Sequence, residues 1–228
     1  MSKSTLTYKP PRQRRSHESS ERILDAAESL IRERGFDNMT VAEVVQRSGS
    51  SVGSLYARFN NKLGLLRAVQ LRYHARVQND IFAAFSGDHL RNESLQEAVA
   101  RIVAVLSRHV LNDPELFRAF VLEAVFDPGV RTQGERTNAQ RRDKVVEVLL
   151  AHRAEIRHPD PERAARWFYS ACMAVLRERI TFGEGAELSG GFSDEGLVTE
   201  ITCMVTSYLT YYPPQVTDDP PLLSGGAN

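Results

Sequence analysis

The stretch Ser50-Ser51-Val52-Gly53-Ser54-Leu55-Tyr56-Ala57-Arg58-Phe59 concentrates residue types that could meet a polyanion. Leu55 and Phe59 stand four apart, so on a helix they share an inward face. Gly53, Ser54, Ala57 and part of Tyr56 then face outward. Most are small, which lets the backbone approach a ligand closely. Ser50 or Ser51 is placed to cap this helix. Its first turn then offers N–H groups and the positive end of the helix dipole to a phosphate. Lys62 opens the next helix and can neutralise a second phosphate, and Thr40 caps the preceding helix and can serve a third.

Other chemistries lack their residues. The sequence holds no Gly-rich phosphate loop, no nucleophile elbow and no carboxylate–histidine cluster, so an enzyme is not expected. His74, His109, His152 and His158 show no metal spacing and there is no Cys-x-x-Cys, so neither a metal nor a cofactor is expected. Cys172 and Cys203 lie in apolar helical stretches and read as buried free thiols of a reducing compartment.

The elements that must position these residues are almost all helical. Strand signals are scarce, and the chain reads as all-α with about nine helices. A first helix spans about Ser20–Arg34 and ends at Gly35 as a left-handed cap. Thr40 and Glu43 have the spacing of a capping box for a second helix that ends near Ser48-Gly49, with Met39 and Val44 as its staple. A third runs from about Ser51 to Phe59 and a fourth from Asn61 or Lys62 to about Phe85. Three short helices, the last two joined by a tight turn, describe a helix-turn-helix. Further helices span about Ser94–Leu111, Asp113–Phe126, Arg131–Glu155, Asp160–Phe182 and Ser193–Tyr212. Two of them open on the Asp-Pro-Glu start signal.

Composition agrees with a globular protein: 42% hydrophobic and 25% charged over 228 residues, with zero net charge. The charge is uneven, since residues 1–62 hold eleven Lys and Arg against seven Asp and Glu. A basic end on a neutral protein suits a local polyanion contact or a solvated tail. Met1–Arg15 is polar and basic, unlike a signal peptide, and no apolar run approaches the ~18 residues of a membrane span. A cytoplasmic location without membrane contact is expected.

Ile23-Leu24-Asp25-Ala26-Ala27, Gly35-Phe36, Thr40-Val41, Ser48-Gly49, Gly53-Ser54-Leu55-Tyr56, Phe59 and Lys62 together resemble the DNA-binding region of the TetR family of bacterial transcription repressors. The likeness covers about residues 20–70. It implies an N-terminal three-helix DNA-binding domain followed by an all-helical regulatory and dimerisation domain. The corresponding division is 1–18 basic arm, 19–66 helix-turn-helix domain, 67–212 ligand-binding and dimerisation domain and 213–228 disordered tail. The partners implied are double-stranded DNA with a palindromic operator and a second copy of the chain. The resemblance puts Thr40 and Lys62 on phosphates, Ser51 and Tyr56 on the backbone, and Val52, Gly53, Ser54 and Ala57 along base edges. Ser50, Val52 and Arg58 depart from the family pattern. Val52 is open to a thymine methyl or to inward packing, and Arg58 to a phosphate or a guanine edge.

The last two long helices carry apolar faces for a dimer, with Cys172, Val175, Ile201, Met204, Val205 and Leu209 as interface candidates, or else for the monomer's own core. Phe82, Phe117, Phe120, Trp167, Phe168 and Met173 are candidates for the lining of a site for a small apolar or amphipathic ligand. The alternative is a DNA-binding regulator or architectural protein without such a ligand.

Overall fold

The computed structural model describes residues 12–87, 93–187 and 191–211. The basic arm before residue 12 and the tail beyond residue 211 lie outside them. Nine α-helices and no strand occur among the described residues: α1 Arg12–Asn38, α2 Val41–Ser48, α3 Val52–Phe59, α4 Lys62–Ala84, α5 Leu95–Leu111, α6 Pro114–Phe126, α7 Pro128–Leu150, α8 Pro161–Phe182 and α9 Asp194–Thr210.

Capping explains most of these starts. Thr40 and Ser94 each form a full capping box, with Glu43 and Glu97. Ser51 and Ser193 cap α3 and α9 through their hydroxyls, and Asp160 caps α8. Two helices differ from the sequence reading. Helix α1 starts eight residues before Ser20 and runs past Gly35, which breaks it at φ 79°, ψ 164°, a conformation open almost only to glycine. Helix α7 starts at Pro128 rather than near Arg131, because Asp127 Oδ1 accepts from Val130 N–H at 2.8 Å. It stops at Leu150, and residues 151–155 form turns.

The chain forms two compact units. The first runs to Val77 and takes back Asp113–Glu135; the second comprises Gln78–Asn112 and everything from Arg136 on. In the first, Ile23, Ala27, Leu30 and Ile31 of α1 are buried along with Leu55, Leu65, Leu66 and Leu116. Each such leucine or isoleucine contributes roughly 1.5–3 kcal/mol by leaving water. Charged pairs hold both ends of α6. Arg32 of α1 donates to both oxygens of Asp113, at 2.6 and 3.3 Å, and Arg67 of α4 donates to both oxygens of Asp127, at 3.0 and 2.5 Å. Buried Glu28 accepts from Arg32 and Arg72, with Arg76 at 3.6 Å.

In the second unit α5, α8 and α9 pack on one another. Cys172, Ile201, Val205 and Leu209 are all buried there, so they close the unit's own core and do not present a surface for a second copy. Met204 is exposed and Val175 half-buried. Apolar periodicity had marked the buried face, whereas Trp167 of α8 and Met204 of α9 stay exposed. Burial pushes the Cys172 thiol up to about 12, while Cys203 is exposed and departs from the expectation of a buried thiol.

The ligand candidates are dispersed. Phe117 and Phe120 are buried in the first unit, where Phe120 packs against the rings of Tyr73 and His74. In the second unit Phe168 and Met173 are core residues, Phe82 is partly exposed, and Trp167 lines an open groove of about 680 Å³ with Arg142, Arg163, Arg166, Ser170 and Tyr208.

The Arg67 guanidinium, followed by the Val130 N–H, holds the buried Asp127 carboxyl down at about 2. A carboxyl lowered on folding stabilises the fold above its unfolded pKa of about 4, and that contribution fades as pH falls through the folded value. Asp127→Asn should therefore melt below the parent at pH 7, with the gap closing as pH falls from about 4 towards 2. Thermal unfolding of the two proteins at pH 7 and pH 3 checks this; an equal gap at both would remove the ionised pair as its cause.

Candidate nucleic-acid interface

Helices α2 and α3 are joined by Gly49-Ser50-Ser51, a turn that requires Gly49 at φ 63°, ψ 25°. Its N–H donates to Val45 O, and so does that of Ser50 at 3.3 Å, closing the end of α2. At the other end, Thr40 Oγ1 donates to the Glu43 carboxylate at 2.7 Å and accepts from Glu43 N–H at 3.3 Å. The hydroxyl and N–H of Thr40, assisted by Arg34, hold the Glu43 carboxyl below its usual value. Thr40 is thus a fixed, exposed helix cap.

Helix α3 buries Leu55 and Phe59 and turns Val52, Gly53, Tyr56 and Ala57 outward. Val52 is 50% exposed, so of the two readings open to it the structure takes the outward one. An added Cβ at Gly53 would meet no atom within 4 Å, which leaves the backbone there open to close approach. Ser51 Oγ accepts from Ser54 N–H at 3.1 Å. Ser50 is different from the sequence expectation: its hydroxyl is buried, without a hydrogen-bond partner, and does not join the outward face. Arg58 lies back along its own helix, donating to Ser54 O at 2.9 Å and to Ser54 Oγ.

Lys62 stands in the first turn of α4, where a cation opposes the helix dipole. Two contacts offset this: Nζ donates to Asp37 O at 3.2 Å and lies 4.4 Å from the centre of the Phe36 ring. They hold the ammonium at the junction of α1 and α4. Other cations of the unit are committed to acids, Arg34 to Glu43 and Arg47 to Glu33.

The α3–α4 junction carries residues to which the sequence reading gave no capping or packing role. Asn60 takes φ 64° as the cap of α3. Asn61 N–H donates to Phe59 O at 2.7 Å, while Asn61 Oδ1 accepts from Gly64 N–H at 2.7 Å and so caps α4. A Cβ at Gly64 would collide with the Phe59 carbonyl, so glycine is what lets the end of α3 sit this close to α4. The usable signal was Asn61 three residues before Gly64, the spacing of a side-chain cap.

Among the described residues no group of three or more His, Cys, Asp or Glu could hold a metal ion, and no helix is long and apolar enough to cross a membrane.

Comparison with known proteins agrees along most of the chain. Residues 23–69 match the family model described as bacterial regulatory proteins, tetR family, and residues 94–209 match the model of the tetracyclin repressor-like C-terminal domain. The HTH-type transcriptional repressor BdcR of Escherichia coli is 27% identical over 176 residues, 73% of this chain and 81% of that protein. A TetR-family transcriptional regulator of Mesorhizobium loti shares the fold with a TM-score of 0.65 at 20% identity, over 86% of this chain and 96% of the other. A transcriptional regulator of Saccharomonospora viridis, solved in complex with choline, does so with a TM-score of 0.68 at 16% identity, over 86% of this chain and all of the other. These relatives are regulators of transcription, a non-enzymatic class. With its helix-turn-helix and its C-terminal helices both matched, the chain belongs to the TetR family of bacterial regulatory proteins.

Proposed function

We propose that this protein is a cytoplasmic repressor that binds a palindromic operator as a homodimer and leaves it when a small apolar or amphipathic molecule binds its C-terminal helices. The observation that carries the DNA-binding part is helix α3: it buries Leu55 and Phe59 and offers Val52, Gly53, Tyr56 and Ala57 to a groove. In this reading α3 lies in the major groove. The Tyr56 hydroxyl and Lys62 hold phosphates on either side, and Thr40, Ser51 and Arg58 steady the backbone contact.

Dimerisation is supported by the outer face of α8 and α9. Trp167 of α8 and Met204 of α9 are exposed although they are large and apolar, and Val175 is half-buried. Exposed large apolar side chains suit an interaction surface. A response to a ligand is supported by the choline complex of the Saccharomonospora viridis protein, which has this fold. The burial of Phe168 and Met173 in the core favours a second reading, a regulator that works without a small molecule.

Selection of bound sequences from a random DNA pool tests the reading. Recovery of a palindrome with half-site centres about 34–36 Å apart, or a multiple of that, is expected. Recovery of no motif, with binding confined to low salt, would overturn it. Replacing exposed Trp167 and Met204 together by Glu should give helical monomers in sedimentation that bind DNA poorly; persistent dimers would place the interface elsewhere. Lys62→Ala should weaken binding to all sequences and flatten the log–log salt dependence by about one unit. An unchanged slope would take Lys62 off the phosphates.

A further inference from the structure

We propose that the reading helix recognises a thymine in each half-site through its C5-methyl group, at the base that meets Val52. The inference rests on the DNA-binding reading above and adds the chemistry of the bases read. Helix α3 has few polar side-chain groups, and most are used within the protein. Ser51 Oγ accepts from the Ser54 N–H, and Ser54 O and Oγ both accept from Arg58. The Ser50 hydroxyl is buried. What remains outward is the Val52 isopropyl group, the bare Gly53 backbone, the Tyr56 ring with its hydroxyl and the Ala57 methyl.

In the major groove guanine, adenine and cytosine present hydrogen-bonding atoms, and thymine alone adds a methyl group. A face made of methyl groups can gain binding energy from that methyl by excluding water between apolar surfaces. The short reach of Val52 and Ala57 is compensated at Gly53, where no atom stands within 4 Å of the absent Cβ and the backbone can come close. Val52 and Ala57 are five residues apart, so they differ by about 140° around the helix axis and face different ways. Val52, with the larger exposed apolar group, therefore carries the contact. Arg58 Nη1 makes both bonds to Ser54, which lay the side chain along its own helix.

The test uses the full-length protein and the operator recovered by selection. Each thymine is replaced in turn by deoxyuridine, which removes the methyl and leaves the pairing edge intact. Affinity is measured at one fixed salt concentration. At least one position per half-site should lose about threefold to fivefold in affinity on this replacement, the effect of one buried carbon. Val52→Ala, a change at an exposed position, should lose a similar factor on the thymine operator and become insensitive to deoxyuridine at that position. Circular dichroism confirms that this variant keeps its helices. A defined operator with no position sensitive to deoxyuridine overturns the methyl reading and leaves sequence-specific binding intact. So does a half-site rich in guanine whose binding collapses on Arg58→Ala. Failure to recover any operator overturns this inference together with the DNA-binding reading it rests on.

Discussion

Helix α3 has eight residues, too few to hold a helical conformation in water by themselves. Its existence depends on the burial of Leu55 and Phe59 in the core of the first unit. That single anchorage also decides what the helix can present, because turning two side chains four apart inward fixes which others point out. The ends are then closed locally, by Ser51 at the start and by Asn60 and Asn61 at the finish. Gly64 admits the Phe59 carbonyl, so the end of α3 rests directly on the start of α4. A short helix held this way is positioned by its neighbours and keeps its outer face free.

The rest of the first unit secures that platform with charge as well as apolar packing. Buried carboxylates are costly unless they are paired, and here Glu28 and Asp127 both have arginine for company, as does the half-buried Asp113. Glu28 gathers Arg32, Arg72 and Arg76, while Asp113 and Asp127 at the two ends of α6 receive Arg32 and Arg67 in two-point contacts. Two-point pairing fixes orientation in addition to distance. Helix α6 therefore belongs mechanically to the DNA-binding unit, although its neighbours in sequence, α5 and most of α7, belong to the second unit.

The second unit separates two kinds of apolar surface on the same helices. One face of α8 and α9, with Cys172, Ile201, Val205 and Leu209, meets α5 and is gone from the surface. Burial keeps the Cys172 thiol protonated, which suits a packing role and not a reactive one. The other face keeps Trp167 and Met204 in contact with solvent.

The helices were legible in the sequence because caps and apolar periodicity are local. Thr40 with Glu43, Ser94 with Glu97, and Asp160 before Pro161 mark their starts within a few residues, and the backbone bonds they make involve nothing distant. The same Asp-Pro signal shows where local information stops. Asp160 caps its helix, Asp127 caps and also pairs with Arg67, and Asp113 makes no cap bond and is taken by Arg32 from 81 residues away. On the interface, the sequence placed Leu55 and Phe59 inward and left Val52 and Arg58 open. The structure turned Val52 out, laid Arg58 on Ser54 and hid the Ser50 hydroxyl. It also decided that the apolar faces first assigned to a partner close the monomer's own core. Periodicity shows that a face is apolar, but what covers it depends on residues far away in the chain. The sequence by itself thus determined the helices and the family. Only the tertiary structure decided which side chains are spent on the fold and which remain to meet DNA or a second copy.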